Sequence, residues 1–119
     1  MFQNSNQYDL EERTLQFAKD IRKFVKKLPR TLANTEDVRQ LIKTSGSVGA
    51  NYIEANESLS KKDFKMRIKI CKKESKESVY WLKLIDVLDK SLLTKEREQM
   101  IAEATELMKI FGSILEKSK

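Results

Sequence analysis

A chain of 119 residues is long enough to bury one core and too short for two, and with three Gly and one Pro it lacks the turn residues an all-β fold needs. Its 39% hydrophobic and 35% charged residues, with a net charge of +6, suit helices carrying one apolar stripe each and exclude a disordered tail. No run approaches the roughly 20 consecutive apolar residues of a membrane span, and Met1-Phe2-Gln3-Asn4-Ser5 lacks the parts of a signal peptide, so a cytoplasmic location with no membrane partner is the expectation.

A loose segment over residues 1–8 is expected ahead of a single domain over residues 9–117. Helix one reads Leu10, Thr14, Phe17, Ile21, Phe24 and Leu28, steps of four and three that turn one face to a core, and Pro29 stops it. After a connector around Arg30 to Asn34, Thr35 is the expected cap of a second helix whose first turn carries Glu36 and Asp37. Val38, Leu41, Ile42, Ser45, Val48, Tyr52 and Ile53 continue it. Gly46 and Gly49 each cost about 1 kcal/mol there relative to Ala, so the helix either breaks or packs unusually closely, and the small neighbours Ser45, Ser47 and Ala50 favour close packing.

Ser60 followed by Asp63 marks the start of helix three as a weak capping box. Phe64, Ile68, Cys71, Ser75, Ser78, Leu82 and Ile85 keep the four-three rhythm, which makes this the longest expected element. Thr94 is the expected cap of helix four, with the stripe Ile101, Ala104, Leu107 or Met108, Phe111, and Ile114 or Leu115. Short connectors imply antiparallel neighbours, so the expected fold is all-α, an antiparallel up-down-up-down four-helix bundle.

The absence of His removes the commonest general base and metal ligand. Cys71, the single Cys, has no disulfide partner within the chain and reads as a small core residue. Glu54 with Glu57, Glu74 with Glu77, and Glu103 with Glu106 are carboxylate pairs at helical spacing, but a bundle di-metal site also needs Glu-x-x-His motifs. The stretch Thr44-Ser45-Gly46-Ser47-Val48-Gly49 lacks the Gly-Lys-Ser/Thr ending and the preceding strand of a phosphate loop. No catalytic residue, metal ligand or cofactor is expected.

Charge is the informative feature. Between Lys61 and Lys76 eight basic residues (Lys61, Lys62, Lys65, Arg67, Lys69, Lys72, Lys73, Lys76) face only Asp63 and Glu74, a net of +6. Between Lys19 and Arg30 six (Lys19, Arg22, Lys23, Lys26, Lys27, Arg30) face only Asp20, a net of +5, which leaves the rest of the chain at −5. The bland alternative is a solvated face. For helix one it is strong, because cations suit a helix C-terminus; in helix three the cluster occupies the N-terminal half, which the dipole disfavours. Lys65, Lys69, Lys72 and Lys76 form one line suited to phosphate contacts, flanked by Lys61, Lys62 and Lys73, with Arg22, Lys26 and Arg30 the further candidates on helix one. In an up-down bundle the two basic segments lie toward opposite ends, so only self-association joins them into one surface. RNA or DNA is the expected partner; a protein-interaction module docking a helix on the Gly46/Gly49 surface is the rival.

Thr44-Ser45-Gly46-Ser47-Val48-Gly49-Ala50-Asn51-Tyr52-Ile53-Glu54-Ala55 and Lys73-Glu74-Ser75-Lys76-Glu77-Ser78-Val79-Tyr80-Trp81-Leu82, joined by Ser60-Lys61-Lys62-Asp63-Phe64, resemble the bacterial four-helix-bundle family named after proteins encoded in intervening sequences of 23S ribosomal RNA genes. The likeness runs from about Asp9 to Leu115. It implies a ring-like homopentamer, and a relative that serves diversity-generating retroelements as a basic accessory protein binding a reverse transcriptase and nucleic acid. Asn51, Glu54, Glu74, Glu77 and Trp81 match the family's recurring polar and aromatic places. Asn51 and Glu54 are expected to reach partners on helix three, and Trp81 to anchor a core or a subunit interface. Ala55-Asn56 stand where many members end the helix with Gly.

Overall fold

The computed structural model describes residues 5–119, with side chains from Leu10 onward; residues 1–4 of the expected loose segment lie outside the described residues. Four helices follow in order, α1 Ser5–Val25, α2 Leu32–Asn56, α3 Lys61–Leu84 and α4 Ser91–Lys117. Each packs on its chain neighbours and α1 closes on α4, while α1 and α3 stand on one diagonal and α2 and α4 on the other. This is the antiparallel bundle that the periodicity predicts, 47 × 24 × 20 Å. No described helix is long and apolar enough to cross a membrane.

The four-three stripes are the core. Leu10, Thr14, Phe17, Ile21, Phe24 and Leu28 from the first segment meet Leu41, Val48 and Tyr52 of α2, Ile68, Cys71 and Leu82 of α3, and Ala104, Leu107 and Phe111 of α4, all buried. Of the alternatives in the last stripe, Leu107 is buried rather than Met108, and Ile114 and Leu115 share the partly buried edge.

Several boundaries differ from the sequence expectation. α1 starts at Ser5, inside the segment expected to be loose, and ends at Val25, with a turn carrying Leu28 into the core before Pro29. The cap of α2 is Thr31 rather than Thr35: Thr31 has extended backbone, its hydroxyl accepts from the Asn34 N–H, and the Thr35 N–H already bonds to the Thr31 carbonyl at 2.9 Å. Asn34 thus falls in the first helical turn. It is buried, donates to the Pro29 and Asp86 carbonyls, and accepts from the Asp86 N–H at 2.9 Å. One side chain therefore joins the α1–α2 turn to the α3–α4 turn.

α4 begins at Ser91 after Lys90 rather than at Thr94, whose N–H bonds to the Lys90 carbonyl. Leu88 and Asp89, both with φ near +55°, turn the chain into it. The early start makes α4, at 27 residues, the longest helix, ahead of the 24 residues of α3. Ser60 caps α3 as expected, accepting from the Asp63 N–H.

α2 runs unbroken through both glycines. A β-carbon on Gly49 would stand 2.9 Å from the Thr14 hydroxyl oxygen and 3.2 Å from its Cβ, so α1 occupies that surface. On Gly46 it would meet only the Arg22 guanidinium, at 3.6 Å. Close packing therefore explains Gly49 alone, and the helix-docking surface of the rival reading is filled by the chain's own α1. We predict that Gly49→Leu lowers stability by about 1–3 kcal/mol through overpacking, whereas Gly46→Ala is neutral or stabilises by up to about 1 kcal/mol; urea unfolding midpoints measure both.

Where α2 meets α3, small buried side chains face one another: the Thr44 and Ser78 hydroxyls share a hydrogen bond, and the Cys71 thiol donates to the Val48 carbonyl. Burial pushes the Cys71 thiol up from 9.0 to about 12. In the unfolded chain the thiol ionises near its ordinary value, so the stabilisation is whole below about pH 9 and is lost as pH rises toward 12. Unfolding free energy should fall by about 1 kcal/mol between about pH 8 and about pH 10 through this group, and a Cys71→Ala variant should lack that component.

Candidate nucleic-acid interface

The rotation of α3 decides which of its side chains meet solvent. Three contacts with α2 set it: Cys71 on the Val48 carbonyl, the Ser78 hydroxyl 2.9 Å from that of Thr44, and Arg67 donating to the Asn51 carboxamide at 3.0 Å. Lys69, Lys72 and Lys76 are consequently exposed and Lys65 half-buried, on a face turned from α2, with Lys61, Lys62 and Lys73 exposed beside them. Lys65, Lys69, Lys72 and Lys76 rise about 16 Å along the axis at 1.5 Å per residue.

Among the described residues, Lys61, Lys62, Lys65, Lys69, Lys72 and Lys76 have no carboxylate within salt-bridge distance. Lys73 lies 3.8 Å from Glu74. That carboxyl is half-buried and its pKa is raised by burial and by Glu77, against the pull of Lys73 and Lys43. The Lys72 stem and ammonium lie over Gly112 of α4, 3.7 Å from where a β-carbon would stand. Lys61, Lys62, Lys65 and Lys69 line a shallow depression with Asp63 and the half-exposed Met66.

The α1 candidates are placed elsewhere. Arg22 donates to its own helix at the Ala18 carbonyl and reaches across Gly46. Lys26 and Arg30 border an apolar hollow formed by Val25, Leu28, Pro29 and Val38. Lys27, beside them, is paired with Glu96 at 3.0 Å. α1 and α3 stand on one diagonal of the bundle, and the Asn34–Asp86 link puts the C-terminal ends of both at one end. The basic half of α1 is therefore at the end opposite the basic half of α3, and the fold of the single chain does not unite them.

The resemblance-derived positions resolve mostly into structure. Asn51 donates to the Ser47 carbonyl and holds Arg67 of α3. Glu54 is exposed and does not reach α3. Trp81 packs partly buried against the core with its ring 5.0 Å from that of Tyr80. Glu103 and Glu106 both hold Arg13 of α1, at 2.8 and 2.6 Å, an arrangement that sequence spacing could not reveal across 90 residues. These bonds hold Arg13 above its usual pKa and Glu106 below the usual carboxylate range. Among the described residues no group of three or more His, Cys, Asp or Glu side chains is placed to hold a metal ion.

Residues 6–113 match the family model described as 23S rRNA-intervening sequence protein. The chain is also similar to a solved structure from Bacteroides thetaiotaomicron, a protein with unknown function from the S23 ribosomal protein family, at 27% identity and a TM-score of 0.76, over 92% of this chain and 97% of that one. No curated protein matches.

Proposed function

We propose that this chain, which belongs to the 23S rRNA-intervening sequence protein family, is a non-enzymatic bundle that binds RNA or DNA through the lysine face of α3, working in the cytoplasm as a homo-oligomer. The observation that carries this reading is the line Lys65, Lys69, Lys72, Lys76, exposed or half-exposed and, among the described residues, without carboxylate partners. Helix stability gives no reason for it, because the cluster starts at the helix end where the dipole disfavours cations. Phosphate contacts give one: each lysine that neutralises a phosphate releases counterions, which yields affinity with little sequence choice.

The homo-oligomer, a pentamer by the resemblance, brings several copies of this face into one particle. Multivalency then raises the avidity of individually weak phosphate contacts. The rival reading as a protein-interaction module loses its docking surface to α1 at Gly49.

Titration of the purified chain into labelled structured RNA and duplex DNA at about 50 and about 200 mM salt tests the proposal. Steep loss of affinity with salt is expected, and no binding at the lower salt overturns it. Changing Lys65, Lys69, Lys72 and Lys76 together to Gln should leave helix content intact, weaken binding to all sequences alike, and flatten the salt slope by up to roughly 3 to 4 units. Unchanged binding would reduce the line to a solvated face. Light scattering should give a mass that is a multiple of 13.9 kDa.

A further inference from the structure

We infer that the α3 face takes its nucleic acid as a single strand, with one unpaired base stacked on Tyr80; this rests on the reading of the same lysines as a phosphate-binding line. Tyr80 lies four residues beyond Lys76 and three before Lys83, so it continues the 65, 69, 72, 76 series on the same side of the helix. It is 58% exposed. Trp81, next in the chain, turns inward against the core instead. The two rings meet edge to face, at 5.0 Å and 79°, so the Trp81 contact steadies the Tyr80 ring while more than half of the residue stays open to solvent.

Lysines alone do not distinguish a duplex from a single strand, since both offer phosphates. An aromatic ring does. Bases in a duplex are stacked on one another and present only their edges in the grooves, whereas an unpaired base offers a face that an exposed ring can cover. From Lys65 to Tyr80 the line extends about 22 Å at 1.5 Å per residue, room for several nucleotides of backbone ahead of the stacked base. Lys83 supplies a cation on the far side of the ring. The nearest acid in sequence, Glu77, is half-buried beside Glu74 and is offset around the helix from the line.

The test compares a labelled single-stranded uridine 20-mer with a duplex of equal phosphate number, by anisotropy at about 50 mM salt. Tyr80 is exposed, so Tyr80→Ala should fold with unchanged helix content. It should lower affinity for the single strand roughly 5- to 100-fold, leave duplex binding and the salt slope unchanged, and be rescued by Tyr80→Phe. Equal single-strand affinity in Tyr80→Ala and wild type, with the quadruple lysine variant still impaired, overturns the stacking inference and leaves the lysine reading standing. Loss of affinity for strand and duplex alike in Tyr80→Ala also overturns it. Absence of any binding by the wild type overturns both.

Discussion

The narrow seam between α2 and α3 is the constraint on which the surface of this protein depends. Thr44 and Ser78 share a hydrogen bond between their hydroxyls across it, the Cys71 thiol meets the Val48 carbonyl, and Ser75, on the same face of α3 as Cys71 and Ser78, is buried with a bond back to the Cys71 carbonyl. Small side chains let the two backbones approach, and larger ones would push them apart. Among the described residues every buried side-chain polar atom has a partner, so a polar seam is tolerated where an unsatisfied one would be costly. It also specifies rotation: turning α3 by one residue, about 100°, would break the Ser78 and Cys71 contacts together and carry the lysines toward the core.

The seam separates two basic segments that look alike in sequence. In the first segment Lys27, just past α1, is paired to Glu96, Arg22 bonds back to the Ala18 carbonyl and lies across Gly46, and Lys26 and Arg30 stand beside an apolar hollow at the opposite end of the bundle. Among the described residues, Arg67 and Lys73 are the basic side chains of α3 with a polar partner on another side chain. Concentration of unpaired charge on one outward face gives a local potential that a net charge of +6 does not by itself imply.

The helices, their order and most buried positions were legible from the four-three spacing, because burial in a bundle is a property of one face and that face repeats with the helix period. Ile53, expected on the α2 stripe, is instead exposed, and Asn34, Thr44, Ala55, Val87 and Leu93 are buried without having been assigned to a stripe. The starts of α2 and α4 were not. Glu36 and Asp37 made Thr35 look like a cap, yet Thr31 takes that role, its hydroxyl accepting from the Asn34 N–H, and α4 opens at Ser91 after Lys90 with no side-chain cap to advertise it. Contacts between distant segments left no periodic trace: Asn34 with Asp86 spans 52 residues and Arg13 with Glu103 spans 90. Of the candidate site, the lysine line was legible as a line, but its freedom from carboxylates was not. Nor could sequence decide which of the adjacent rings Tyr80 and Trp81 faces outward, since that follows from the rotation set at the seam.

On this proposal α3, held by the seam, presents the nucleic-acid surface. Photo-crosslinking of the full chain to a thiouridine-substituted RNA, with the linked peptides read by mass spectrometry, is the decisive test. Crosslinks confined to the outward positions between Lys61 and Lys83 are the predicted result. Crosslinks centred on Arg22, Lys26 and Arg30, or spread evenly over all four helices, would contradict it.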